Sequence, residues 1–152
     1  MHPESMEQMK YFREKYVTKG MSVLDVGSRA IDLGNPIYRD LFPDCYYIGV
    51  DSEPGRNVDV EGLENIREVF DVVISGQTLE HVRRPWDWLK SLVPLFTKYI
   101  CIIAPHTFQE HRFPLDTYRY FPDGMRDLFE YASIKELEIF RDKVDTVGIG
   151  TK

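Results

Sequence analysis

Only two cysteines, Cys45 and Cys101, occur in the 152 residues, too few for a disulfide framework. Each lies beside or inside an apolar run, so both read as buried structural thiols, and a reducing cytoplasm is the expected compartment. No uninterrupted apolar run approaches the roughly 18 to 20 residues of a membrane span, and residues 1–10 are too polar for a secretory leader. Positive charge is in deficit. Lys and Arg number 19 against 25 Asp and Glu, for a net charge of -6, which argues against the basic face that duplex nucleic acid requires. Internal repeats and low-complexity tracts are lacking too, which excludes a solenoid or a biased linker. What remains is a chain with 43% hydrophobic and 13% aromatic residues, enough for a folded core. Its length fits one domain, 1–152, of the usual size of about 100 to 150 residues.

Residues 3–17 carry Met6, Met9, Phe12 and Tyr16 at helical spacing, opposite Glu4, Glu7, Lys10 and Glu14, and predict an N-terminal amphipathic helix ending near Gly20. Residues 21–26 and 46–50 read as buried strands, with a short helix at 37–42 between them. Parallel neighbours normally need a crossover of a dozen or more residues, whereas 52–57 supplies six. One crossover helix is therefore expected to be missing, with a short third strand near 58–60 and a helical pattern over 63–69. The β-branched run 70–75 and the run 99–104 are further buried strands. Between them Pro85 opens a helix with Trp86, Leu89, Val93 and Phe96 on one face, to end or kink at Pro94. Residues 108–121 show no period, 122–131 read as a helix, and 134–140 and 144–151 alternate around a connection short enough only for a hairpin. The predicted fold is an α/β, Rossmann-like three-layer mixed sheet of about seven strands with a C-terminal antiparallel hairpin.

The chemistry gathers at strand ends. Residues 23–28 read V-L-D-V-G-S and residues 46–51 read Y-Y-I-G-V-D: a glycine turn after one strand and a carboxylate ending the next. Such a pair serves an adenosine-containing cofactor at the crevice of an open α/β sheet. A nicotinamide dinucleotide needs G-x-G-x-x-G so that the main chain can touch a pyrophosphate, and here Arg29 occupies the second glycine position.

With F-D-V-V-I-S-G-Q-T-L-E-H-V at 70–82 and H-R-F-P-L-D-T-Y-R-Y-F-P-D-G at 111–124, four ordered pieces make the chain resemble the class I S-adenosylmethionine-dependent methyltransferases, over residue 21 to the C-terminus. The resemblance implies S-adenosylmethionine as cofactor and S-adenosylhomocysteine as product. It implies that Gly27 lets the backbone approach the methionine moiety, that Asp51 accepts hydrogen bonds from the ribose hydroxyls, and that Ser28, Ser52, Ser75 and Gln77 lie around the cofactor. Asp25 is expected there too, steadying loop amides or the cofactor's ammonium. The segment after Asp51 departs from the family, with Leu63 where an acid commonly holds adenine and with Asp59 and Glu61 displaced.

His81 falls where the family places the reactive sulfonium, and His111 is a second candidate base or substrate contact; either takes a proton near neutral pH. His106, Tyr118 and Arg119, in the loop after the fifth strand, are expected to meet the substrate. Some quinone-type O-methyltransferases carry E-x-x-E-H at 77–81 and can use a divalent ion; with Gln77 in the first position no metal is expected. The expected activity is methyl transfer to a small-molecule acceptor at oxygen. The alternative is an inactive methyltransferase-like domain that binds the cofactor or its product as a sensor or partner subunit. The sequence leaves open whether the N-terminal helix covers the pocket or serves in a dimer.

Overall fold

In the computed structural model, which describes residues 3–32 and 34–152, the apolar runs of the sequence become strands of one sheet. After a helix α1 (Pro3–Tyr16) come three strands, β1 (Ser22–Val26), β2 (Tyr46–Asp51) and the two-residue β3 (Val60–Glu61). β4 (Phe70–Gly76), α2 (Pro85–Leu92), β5 (Phe96–Pro105), α3 (Pro122–Tyr131), β6 (Lys135–Arg141) and β7 (Asp145–Thr151) complete the order. The seven strands lie as β3-β2-β1-β4-β5-β7-β6, parallel from β3 to β5 and antiparallel at β5–β7 and β7–β6. Strand order reverses between β1 and β4, the switch point at which open sheets of this kind leave a crevice beyond their carboxyl ends.

Alternation along the central strands sorts side chains between two cores. Leu24, Val73, Ile100 and Ile102 face α2 and α3, and Val23, Val72, Ile74, Cys101 and Ile103 face α1 and a 3₁₀ turn at Tyr38–Leu41. Met9 and Phe12 of α1 are fully buried on that second face, so α1 is a structural layer of the sheet. Both cysteines are free thiols, as their setting implied: Cys101 is buried in the sheet and Cys45 partly buried.

Proline and left-handed residues set the helix ends. Pro85 and Pro122 each open a helix where their missing N–H is not needed. α3 ends in a Schellman motif: Ser133 at φ +59° donates to the Glu130 carbonyl and Ile134 donates to that of Phe129. Pro94 ends α2 as expected, but the chain passes through one 3₁₀ turn, Val93–Leu95, straight into β5. Phe96 is therefore the first residue of the strand and not part of a helix face. The helical pattern over 63–69 yields only the turn Leu63–Asn65. Only Leu63 and Ile66 there rest on the core, and so short a segment cannot offset the cost of nucleating a helix. No helix separates β2 from β3, and β3 falls one to two residues later than its apolar pattern indicated.

Candidate active site

Beyond the carboxyl ends of β1, β2 and β4 lies a cleft of about 490 Å³, within the range of small-molecule sites. Gly27 follows β1, Asp51 and Ser52 end β2, Gln77, Thr78 and His81 follow β4, and Phe113 and Pro114 approach from the loop after β5. Gly27 has φ +79°, and a Cβ there would stand 2.1 Å from Thr78 Oγ1, so glycine is required both by conformation and by space. Asp51 points its carboxylate at the loop: Oδ2 accepts from the Arg29 amide at 3.0 Å and Oδ1 from the Glu53 amide at 3.3 Å. Ser52 donates to the same carboxylate at 3.4 Å.

Three residues expected around a cofactor are held elsewhere. Asp25 is buried on the α1 face, where its carboxylate accepts from the Tyr47 hydroxyl and from Asn57 Nδ2 at 3.2 Å. Burial pushes its carboxyl up to about 7. Alternation on β1 points it away from the cleft. Ser75 donates to the Val26 carbonyl at 2.6 Å and ties β4 to β1, and Ser28 donates to the Asn57 carbonyl at 2.9 Å. Asn57, at φ +72°, also donates to the Ser28 carbonyl at 3.0 Å and accepts from Arg39 Nε at 2.8 Å, so it holds the glycine loop from below. The sequence reading passed over it. Its signal was an Asn two residues after Pro54-Gly55, a residue type that tolerates positive φ.

Gln77 also has positive φ, +58°, and its side chain donates to Asp145 Oδ1 at 3.0 Å while its backbone edges the cleft. Asp59 is paired with Arg39 and accepts from the Gly49 amide at 2.8 Å, whereas Glu64 lines the cleft beside Leu63. The acid that reaches this end of the cleft thus lies one residue beyond Leu63. Trp88 of α2 borders the cleft and Trp86 lies on the exposed surface.

The loop after β5 divides its histidines. His106 sits over the hairpin, with Nδ1 at 2.7 Å from Thr107 Oγ1 and Nε2 at 3.1 Å from the Asp142 carbonyl, and does not line the cleft. Arg119 makes a two-pronged pair with Asp116 at 2.5 and 2.7 Å and donates to the carbonyls of Phe108 and Gln109. The pair braces the loop, and the guanidinium holds the Asp116 carboxyl well below the usual range. Tyr118 is exposed against Trp86 outside the cleft. None of these three side chains, expected at the substrate, lines the cleft.

His81 and His111 do come together, edge to face with ring centroids 4.8 Å apart. Between them stands Glu80, fully buried, its Oε1 at 3.6 Å from His81 Nε2 and 3.7 Å from His111 Nε2. Neither oxygen of Glu80 has a hydrogen-bond donor among the described residues, and burial pushes its carboxyl up to about 8. Burial also lowers the His81 imidazole from its ordinary value. One donor atom from each of the three residues lies within 4.8 Å of the others, a set able to hold a metal ion. Glu80 is a functional candidate that the sequence pattern alone did not single out. Its signal was a lone acid in the apolar stretch L-E-H-V directly after a buried strand.

No helix among the described residues is long and apolar enough to cross a membrane. No protein-family model and no curated protein sequence matches the chain. Solved structures do. The N-terminal domain of EvdMO1, determined in the presence of SAH and D-fucose, superposes with a TM-score of 0.67 at 16% identity over 99% of this chain and 83% of its own. A SAM-dependent methyltransferase from Aquifex aeolicus gives 0.67 at 16% identity over 99% of this chain and 98% of its own. Magnesium protoporphyrin IX methyltransferase from Synechocystis PCC 6803, with bound SAH, gives 0.69 at 13% identity over 98% and 82%. The seven-stranded sheet with its terminal hairpin is the fold of the class I S-adenosylmethionine-dependent methyltransferases.

Proposed function

We propose that this protein transfers the methyl group of S-adenosylmethionine to an oxygen of a small-molecule acceptor. The observation that carries the reading is the cleft at the strand-order reversal, with a positive-φ glycine after β1 and a carboxylate ending β2 on its wall. In it, Asp51 takes the ribose hydroxyls as a charged acceptor, Gly27 and the Gln77 backbone flank the methionine moiety, and Leu63 and Glu64 border the adenine. The acceptor approaches from the side of His81 and Phe113.

Methyl transfer is an in-line displacement: the acceptor oxygen forms a bond to the methyl carbon as the carbon–sulfur bond breaks and its electron pair neutralises the sulfonium. Holding the two reactants in line supplies much of the rate, with Trp88, Phe113 and Pro114 forming the apolar wall of the cleft. An oxygen nucleophile must also give up a proton, which is drawn off at the Glu80–His81–His111 cluster.

Thermal unfolding tests the cofactor. S-adenosylhomocysteine at about 100 times its dissociation constant adds about 2.7 kcal/mol and raises the midpoint by roughly 5 to 10 °C, with no rise for NAD. The absence of a shift refutes the reading. A shift without conversion of S-adenosylmethionine to S-adenosylhomocysteine in the presence of hydroxylated trial acceptors leaves a domain that binds the cofactor and does no chemistry.

A further inference from the structure

At the Glu80–His81–His111 cluster one ligand atom of each side chain lies within 4.8 Å of the others. The Nδ1 of His81 bonds the Leu115 carbonyl, and a carbonyl only accepts, so Nδ1 carries the ring's proton. The Nδ1 of His111 faces two acceptors, the Gln109 carbonyl at 3.1 Å and Asp116 Oδ2 at 3.5 Å, and is fixed in the same tautomer. With Nδ1 so engaged, each ring turns its Nε2 inward, and both Nε2 atoms face the same oxygen, Glu80 Oε1. Glu80 is fully buried and receives no donor on either oxygen from the described residues. Three converging lone pairs repel one another unless a proton or a metal ion lies among them.

We propose that Glu80, His81 and His111 bind a divalent transition-metal ion of the Zn²⁺ type, leaving an open coordination position at the acceptor end of the cleft. Two imidazoles and one carboxylate suit Zn²⁺ and its first-row neighbours and not Mg²⁺ or Ca²⁺, which prefer oxygen throughout. Tetrahedral bonds of about 2.0 to 2.2 Å put ligand atoms roughly 3.4 Å apart, so the 3.6 and 3.7 Å separations to Glu80 Oε1 need a few tenths of an ångström of contraction, and the widest pair, within 4.8 Å, closes by a side-chain rotation. The orienting carbonyls on both Nδ1 atoms are the outer partners that metal-binding histidines ordinarily have.

The two halves of the cluster are also preassembled. Thr117 donates to the Glu80 carbonyl through both its amide and its Oγ1 at 2.7 Å, and Tyr120 donates to the Leu79 carbonyl at 3.1 Å. The loop bearing His111 is thereby bound to the turn bearing Glu80 and His81. The third ligand comes from that loop and not from position 77, whose side chain is engaged by Asp145. Of the three, His81 lines the cleft and so brings the cluster to its edge. Resting on the methyl-transfer reading, an ion there would take the acceptor's hydroxyl and lower its pKa, so that the cluster removes the proton through the ion and not as a base: the proton leaves to solvent and the oxygen lone pair attacks the methyl carbon as the carbon–sulfur bond breaks.

Full-length protein stripped with chelator is titrated with Co²⁺, followed by its visible ligand-field absorption, and then with Zn²⁺ as competitor. One equivalent of Co²⁺ displaced by Zn²⁺ is expected, with affinity falling roughly 100-fold or more in His111→Ala and Glu80→Gln. Because His111 is a loop residue with a part-exposed side chain, that variant decides the matter even where Glu80→Gln does not fold. No uptake by the folded wild type, or equal uptake by His111→Ala, overturns the site. Calorimetry with S-adenosylhomocysteine on the same samples separates the two readings. Cofactor binding without metal uptake removes only the metal site, and metal uptake without cofactor binding removes only the methyl-transfer reading.

Discussion

Replacing Asp51 with alanine removes the one charged group at the end of β2 that faces the cleft. Its two oxygens offer about four lone-pair positions, and the protein fills three of them, two only loosely, from Glu53 at 3.3 Å and Ser52 at 3.4 Å. A ribose with vicinal hydroxyls supplies shorter donors than Ser52 and makes two bonds to an ionised acceptor. Charge-assisted bonds contribute about 1.5 to 3 kcal/mol, and in a half-open cleft water recovers part of the loss, so the pair together is worth about that range. Asp51→Ala is therefore expected to weaken S-adenosylhomocysteine roughly 10- to 150-fold by isothermal titration, with Asp51→Asn between it and the wild type. The amides it releases are near solvent, so unfolding of the ligand-free variant should shift by no more than a few degrees. Folded Asp51→Ala that binds within twofold of the wild type refutes the ribose assignment and, with it, the orientation of the cofactor.

Three further outcomes follow from the same geometry. Gly27→Ala combines a left-handed backbone with a Cβ 2.1 Å from Thr78 Oγ1, costing about 2 to 4 kcal/mol and lowering the melting midpoint roughly 5 to 15 °C; Thr78→Ala should restore part of it, and an unchanged midpoint contradicts the crowding. Asp25 has a folded value near 7 against an unfolded value near 4, so its contribution to stability is full below about pH 4 and is lost as pH rises through 7. Asp25→Asn escapes that loss and should gain about 2 to 4 kcal/mol over the wild type between pH 4 and 8 in urea unfolding; parallel pH profiles for the two proteins contradict the burial account. Phe12→Ala in α1 should cost about 3 to 5 kcal/mol yet leave S-adenosylhomocysteine affinity in the folded protein unchanged, because Phe12 is fully buried on the sheet face away from α2 and α3. A large affinity change at constant fold would return α1 to the role of a pocket cover.

The strands were legible because burial on both faces leaves runs such as F-D-V-V-I-S that suit no other local structure, and prolines 85, 94, 105 and 122 marked the helix and strand limits. Where the period was read too literally, as at 63–69 and at Phe96, the deciding term was how much core each residue could reach, which lies outside the window. The place of Gly27 and Asp51 at the cleft was legible for a related reason: both follow from the end of a strand, a local matter. Ser75 and Asp25 show the limit of that rule. Both belong to strands that end at the cleft, but Ser75 bonds the neighbouring strand and Asp25 projects to the other face.

The side of the cleft around His81 depends on contacts between positions far apart in the chain, and there residue type misled. Arg119, Asp116 and His106 look like binding chemistry, yet a loop of residues 108–121 with no regular backbone pairing must satisfy its own carbonyls, and these side chains do so. Because they are so engaged, the loop is rigid enough to bring His111 against a buried acid that neighbours it only in space. The informative mark is therefore the group that the loop leaves unsatisfied. Glu80 alone among the polar side chains of this half of the site is fully buried with both oxygens undonated by the described residues, while every orienting bond around it has been made. A carboxylate so placed is stable only when something positive completes it, and a site that must be completed by a bound cation or a proton is one whose occupancy can govern reaction at the adjoining cleft.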